Sequence, residues 1–379
     1  MSLLDRAMPT RVVFAPGALR RLGEIARELG FTRTLLVSDP GLVGSGHPAR
    51  ARALLEGAGI EVVPFHDFDH DPDAAMAARG AEVARAARVD SIVALGGGSS
   101  LDCAKGLNFL LTGGGEMADY RGYGKASRPL LPMVAVPTTA GTGSEAQSYA
   151  LISDTDSHDK MACGDPKAAF RVAVLDPELT VSQPPGVTAT AGFDALSHAV
   201  ESYVTTRRNA LSVAFAGQAF VLLEAHFERV LAAPQDLEAR GAMLMGAHLA
   251  GLAIEASMLG ATHACANPLS ARYGTTHGAA IALLLPHVVR WNARAAAPLY
   301  ADLLRAAGRE PGPDPAETLA VRLDSLAVSA SLPRHLGQVG VAEGDLALLA
   351  DDAGRQWTGG FNPRPFDRTS ALELYRAAF

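Results

Sequence analysis

Four side chains in the second half of the chain could together hold one divalent cation: Asp194, His198, His263 and His277. Asp194 and His198 are four residues apart in a run of helical character, so they share one helix face. On its own that pair reads as an Asp–His contact steadying its helix. His263 and His277 change the reading. His263 lies in GATHACANPLSARYGTTHG, near a helix end ahead of Asn267 and Pro268, and His277 opens the next apolar run. One carboxylate and three imidazoles suit a borderline metal such as Fe(II) or Zn(II). Of the other histidines, His248 and His287 read as core groups, and His47, His66, His158, His226 and His335 as surface groups. His70 is a loop residue of FDHDPD, and Cys265 reads as a small buried apolar residue.

A second constellation lies in the first half. Gly96, Gly97, Gly98, Ser99 and Ser100 follow a strand ending at Leu95 and open a helix near Leu101. Such a turn either cradles a diphosphate on free N–H groups at a helix start or is a plain strand-to-helix turn. Pro137 to Ser144, with Thr138, Thr139 and Thr142, also follow a strand. Two loops at strand C-terminal ends favour a nucleotide over a plain turn, because open α/β sheets bind ligands there.

The elements that must position these groups divide the chain. Strand-like runs at 11–14, 34–38, 61–65, 91–95 and 132–136 alternate with helical runs at 18–29, 49–58, 74–87 and 101–111. Strict alternation implies a mostly parallel sheet covered by helices, extended by apolar runs at 149–152 and 171–175. At Asp176 the pattern changes: DPELTVSQPPGVTATAG has the composition of a domain junction. Beyond it, 191–204, 210–231, 237–259, 278–292, 295–307, 315–330, 343–350 and 369–378 all carry helical periodicity. The sequence thus predicts an α/β domain over 1–182 and an all-α domain over 183–379.

At 379 residues, 48% hydrophobic and 19% charged, the chain is long enough for two cores and is neither fibrous nor disordered. A formal charge of -7 argues against nucleic acid and anionic membranes as partners. The longest apolar stretch, near 281–285, stops at Pro286, too short to span a bilayer. Three cysteines without a CxxC pair fit a reducing cytoplasm, and MSLLDRAMPT meets Asp5 and Arg6 before any signal-peptide core develops.

The stretches GGGSSLDCAKG, PTTAGTGSEAQ, DPELT followed by GFDALSHAVESY, THGAAIALLLPHV and the closing NPRP resemble the iron-containing (group III) alcohol dehydrogenases. The resemblance runs over nearly the whole chain. It implies a Rossmann-like α/β domain with a mostly parallel sheet plus an all-α C-terminal domain, an architecture shared with dehydroquinate synthase. It further implies a catalytic metal in the cleft between the domains, and a homodimer. By matching position, Asp194, His198, His263 and His277 are its metal ligands. Gly96, Gly97, Gly98 and Ser99 with Asp102 form its diphosphate loop, and Thr138, Thr139, Thr142 and Lys160 line the cofactor. Asp39 takes the adenosine ribose, favouring NAD over NADP. The expected reaction is hydride transfer between NAD(H) and a small alcohol or aldehyde, with the metal polarising the substrate oxygen.

Two departures stand out. Asn267 replaces the family's proton-relaying histidine and cannot act as acid or base near neutral pH. Asp71 replaces an asparagine before proline. Arg272 opens an alternative in which it holds the carboxylate or phosphonate of an acidic aldehyde or ketone; otherwise it is a surface arginine. A lyase resembling dehydroquinate synthase would want a lysine-rich polyanion site, yet no lysine follows Lys167. From other classes, a metallohydrolase would use a carboxylate such as Glu201, and a non-catalytic NAD-binding protein would bind NADH without turnover.

Overall fold

A computed structural model describes residues 10–69, 71–155 and 160–379; the opening MSLLDRAMP, His70 and His158 lie outside the described residues. The chain divides into two compact units, one made of 1–139 and 144–183, the other of 140–143 and 184–379. Residues 140–143 depart from the expected 1–182 boundary because Gly141 packs on Ala191 and Gly143 on Gly251, approaches that leave no room for a Cβ.

In the first unit β1 (Arg11–Phe14), β2 (Arg33–Val37), β3 (Glu61–Phe65), β4 (Ser91–Gly96), β6 (Met133–Pro137) and β9 (Val172–Leu175) form one parallel sheet in the order β1-β9-β6-β4-β2-β3. Its helices are α1 (Leu22–Glu28), α2 (Pro40–Val43), α3 (His47–Gly57), α4 (Ala74–Ala87), α5 (Gly98–Gly113) and α6 (Pro177–Thr180). Both faces are covered, so successive strand residues feed two cores. Ile92 and Ala94 pack with Leu101 and Leu107 of α5, while Val93 and Leu95 pack with Ile25 of α1 and Leu55 of α3. Chain order reverses between β2 and β4. That is where parallel sheets open a crevice beyond their C-terminal ends.

The apolar run at 149–152 does not extend this sheet. As β7 (Tyr149–Ser153) it pairs antiparallel with β8 (Lys160–Gly164), which pairs in turn with the short β5 (Gly122–Tyr123), in a separate three-stranded sheet. Alternating apolar residues mark a strand without naming its partner.

The second unit is helical: α7 (Pro185–Val204), α8 (Ala210–Ala232), α9 (Leu237–Ala256), α10 (Ala261–Tyr273), α11 (His277–Trp291), α12 (Ala293–Ala306), α13 (Pro315–Ser329), α14 (Leu346–Ala353) and α15 (Arg368–Ala378). Pro184 and Pro185, read as junction, cap and start α7, the first turn being where proline's missing N–H costs nothing. By length and composition α8 could cross a membrane, unlike the 281–285 run. Its Phe220, Leu223, Phe227 and Val230 are buried, and it packs on α7 and α9.

Candidate functional site

Asp194 and His198 face the same way from α7, one turn apart, and both are buried. His263 comes from the first turn of α10, a helix start where the sequence suggested a helix end; Pro268 sits inside that helix. His277 is the first residue of α11. One ligand atom from each of Asp194, His263 and His277 lies within 4.8 Å of the others, and His198 joins them through Asp194 and His263. Asp194 Oδ1 lies 3.3 Å from His198 Nε2 and 3.6 Å from Nε2 of both His263 and His277. His198 Nε2 and His263 Nε2 are 3.1 Å apart.

Asp194 Oδ1 is enclosed and accepts no hydrogen bond. A buried carboxylate oxygen left so is costly, and ring nitrogens face to face need either a proton or a cation between them. A cation answers both demands. Bonds of about 2.0–2.2 Å around a tetrahedral centre place donors roughly 3.3–3.6 Å apart, the range spanned by most of these separations. The donor set therefore fits a borderline divalent ion.

Without a cation, the groups of the cluster shift one another. Burial would raise the Asp194 carboxyl, but His198, His263 and His277 outweigh it and hold the group well below the usual carboxylate range. Burial lowers His198, with the neighbouring His263 adding to the effect against the pull of Asp194. Burial would also lower His263, yet Glu201 and Asp194 reverse it and raise the imidazole to about 9.

The surroundings of Glu201 give it a part in holding His263 rather than that of a hydrolase carboxylate. His263 Nδ1–H donates to Glu201 Oε2 at 2.5 Å, and the Thr262 N–H donates to Oε1 at 2.7 Å. Holding the proton on Nδ1 leaves the Nε2 lone pair aimed at Asp194 and its neighbours. Both oxygens of Glu201 are thus engaged in holding the start of α10 and the His263 ring. The signal was in the sequence: Asp194, His198 and Glu201 fall at i, i+4 and i+7 on one helix face.

Asn267 sits one turn beyond His263 on α10, and its Nδ2 donates to Gln356 Oε1 at 3.0 Å. Arg272 forms an ion pair with Asp352, so the guanidinium is committed to the protein. His47 is 7% exposed and its Nε2 lies 2.9 Å from Ser182 Oγ, which corrects its expected surface position; burial lowers its basicity.

In the first unit, Asp39 lies two residues beyond β2 as the cap of α2 and Gly96 ends β4, on either side of the crevice. Gly96 has φ +151, and a Cβ there would lie 2.2 Å from Ser100 Oγ, so glycine is required. Gly97 precedes α5 and provides no side-chain cap, leaving first-turn N–H groups at Gly98 and Ser99 for an anion. Ser100 Oγ–H donates to Asp39 Oδ2 at 3.2 Å, tying the two strand ends together. Thr138 N–H donates to Gly96 O at 2.9 Å, and Thr139 is the side chain nearest Gly97. Asp71 accepts an ion pair from Lys160 at 2.8 Å while its N–H donates to Ser99 Oγ at 3.2 Å. Thr142 belongs to the 140–143 stretch of the second unit.

Asp102 faces inward. It accepts from Ser144 Oγ–H at 2.5 Å and Leu151 N–H at 3.2 Å, with Lys105 Nζ 3.5 Å away. Burial raises its carboxyl, against the pull of Lys105.

Residues 9–177 match the family described as iron-containing alcohol dehydrogenase, and 188–379 its C-terminal counterpart, Fe-containing alcohol dehydrogenase family, C-terminal. The chain is 37% identical over 386 residues to alcohol dehydrogenase 4 of Schizosaccharomyces pombe, spanning 100% of this chain and 91% of that protein. It is 33% identical over 361 residues to the NAD-dependent methanol dehydrogenase of Bacillus methanolicus, spanning 94% and 95% respectively. A crystal structure of 1,3-propanediol oxidoreductase superposes with a TM-score of 0.96 at 34% identity, over 99% of both chains.

Proposed function

The chain belongs to the iron-containing alcohol dehydrogenase family, and from that premise we propose that it moves a hydride between NAD(H) and a small alcohol or aldehyde. The observation that carries the reading is the convergence of Asp194 Oδ1 with Nε2 of His198, His263 and His277. A divalent ion held there, Fe(II) or Zn(II), supplies the Lewis acidity that makes an alcohol hydroxyl easier to deprotonate.

The protein's own part is to hold and to orient. Glu201 fixes the His263 tautomer, and the buried Asp194 charge balances the cation. Asn267 accepts no proton and its amide is engaged by Gln356, so in this reading the alcohol proton leaves through water or the cofactor ribose. In the α/β unit, Gly96, Gly97, Gly98 and Ser99 receive the diphosphate at the start of α5. Asp39 accepts the adenosine ribose hydroxyls and repels a 2′-phosphate, selecting NAD. Thr138, Thr139, Thr142 and Lys160 line the cofactor, and Asp102 acts through Ser144 by holding the adjoining loop. In this reading the α/β unit binds dinucleotide and the helical unit binds metal. Three buried free thiols, Cys103, Cys163 and Cys265, support a reducing cytoplasm, and the reading includes a homodimer, which sedimentation tests.

The test is anaerobic restoration of Fe(II), Zn(II) or Mn(II) to metal-stripped protein, following nicotinamide absorbance across a panel of small aldehydes. Metal-dependent NADH oxidation is expected. NADH binding without turnover under every metal and aldehyde would instead leave a non-catalytic NAD-binding protein.

A further inference from the structure

The NPRP motif near the C-terminus has no part in the chemistry above, yet its first residue reaches the helix that carries His263. That helix, α10, follows Gly260, which as its N-cap provides no side-chain bond. Its first N–H groups need acceptors from elsewhere. Thr262 N–H finds Glu201 Oε1, and Ala261 N–H donates to Asn362 Oδ1 at 3.3 Å across 101 residues of sequence. The two acceptors straddle the helix start: a Cβ on Gly260 would lie 3.0 Å from Asn362 Oδ1 and 3.1 Å from Glu201 Oε1.

Asn362 is itself locked. Its Nδ2 donates to Asn292 Oδ1 and to Arg364 O, both at 2.8 Å, and its Oδ1 accepts from Asn292 Nδ2 at 3.1 Å. Asn362 is 5% exposed and Asn292 1%, so water does not compete for these bonds. Two residues on, the Arg364 guanidinium lies 3.9 Å from the Trp291 ring centroid and donates to Trp291 O at 3.0 Å. The motif is therefore pinned to the end of α11, and through Asn362 it meets the start of α10.

We propose that Asn362 is a positioning residue for the metal centre: by capping α10 beside Glu201 it sets where His263 presents Nε2. The proposal rests on the reading that Asp194, His198, His263 and His277 hold a metal. A neutral amide suits this place, since a second carboxylate beside Glu201 would repel it.

The test compares Zn(II) affinity of metal-stripped protein, by competition with a chromophoric chelator, with thermal unfolding of the same metal-free samples. Asn108→Ala is the matched control, because Asn108 is also buried and its amide makes two bonds to the Leu131 backbone, 23 residues on, within the α/β unit. Asn362→Ala is expected to weaken zinc binding about 10–100-fold. Asn292→Ala should weaken it less, in the same direction, while Asn108→Ala lowers Tm and leaves zinc affinity at the wild-type value. Wild-type zinc affinity in Asn362→Ala with a lowered Tm overturns the proposal. Should that variant not fold, wild-type affinity in Asn292→Ala at lowered Tm does the same. If His277→Ala binds zinc as tightly as wild type, the metal reading itself fails, and this proposal with it.

Discussion

Replacing Glu201 by glutamine keeps the side chain's shape and removes its charge, at a position 4% exposed where both oxygens accept N–H bonds. An amide offers one acceptor and one donor, so one bond must fail. If the Gln oxygen serves His263, Thr262 N–H is left facing an NH2 group. If it serves Thr262, the NH2 group faces His263 Nδ1 and forces the proton onto Nε2, where a metal must bind. Either arrangement also gives up a charge-assisted bond of about 1.5–3 kcal/mol. The expected outcome for Glu201→Gln is a loss of about 10–100-fold in Zn(II) affinity, equivalent to about 1.4–2.7 kcal/mol. Competition with a chromophoric chelator near neutral pH measures it, with NADH fluorescence enhancement as an internal check. NADH affinity should stay within about twofold, since that reports the α/β unit. Zinc affinity equal to wild type in a folded variant would refute the claim that Glu201 sets the His263 tautomer.

Three further outcomes are expected. Asp39→Asn should raise the NADP-to-NAD ratio of kcat/KM by about tenfold or more, near 1.4 kcal/mol, and an unchanged ratio would remove Asp39 from cofactor choice. Arg272→Ala should leave the preference between neutral and acidic aldehydes unaltered and cost less than about 1 kcal/mol, its ion pair with Asp352 being partly exposed; a selective loss of acidic substrates would reinstate the arginine as a substrate anchor. In metal-free protein His263 is raised to about 9 from 6.5, so its stabilising contribution is full below pH 6.5 and fades as pH rises through about 9. Denaturant unfolding of metal-free wild type and His263→Asn across that window checks the sign: the difference should shrink with rising pH.

Much of this was legible in the residues. The i, i+4 spacing of Asp194 and His198 placed them on one helix face, and the glycines after Leu95 marked the strand-to-helix turn. What spacing could not supply was convergence, because His263 lies 65 residues from His198 and its approach depends on how α7 and α10 pack. Pro268 made α10 look like an ending, since proline usually breaks helices; here it removes one N–H from a helix held by neighbours. Lys160 opens a strand whose partner, β7, had been given to the larger sheet, so the Lys160–Asp71 ion pair was invisible until that pairing was known. In the sequence Asn362 shows only as part of a motif, because a cap reaching across 101 residues leaves no local pattern.

The most direct test of the central claim is an anomalous difference map from crystals of the protein loaded with Fe(II) or Zn(II), collected across the metal's absorption edge. One dominant peak is expected within about 2.0–2.3 Å of Asp194 Oδ1 and of Nε2 in His198, His263 and His277 together. A fully occupied peak elsewhere in the molecule, or one bonded to a set that omits any of these four, would contradict it.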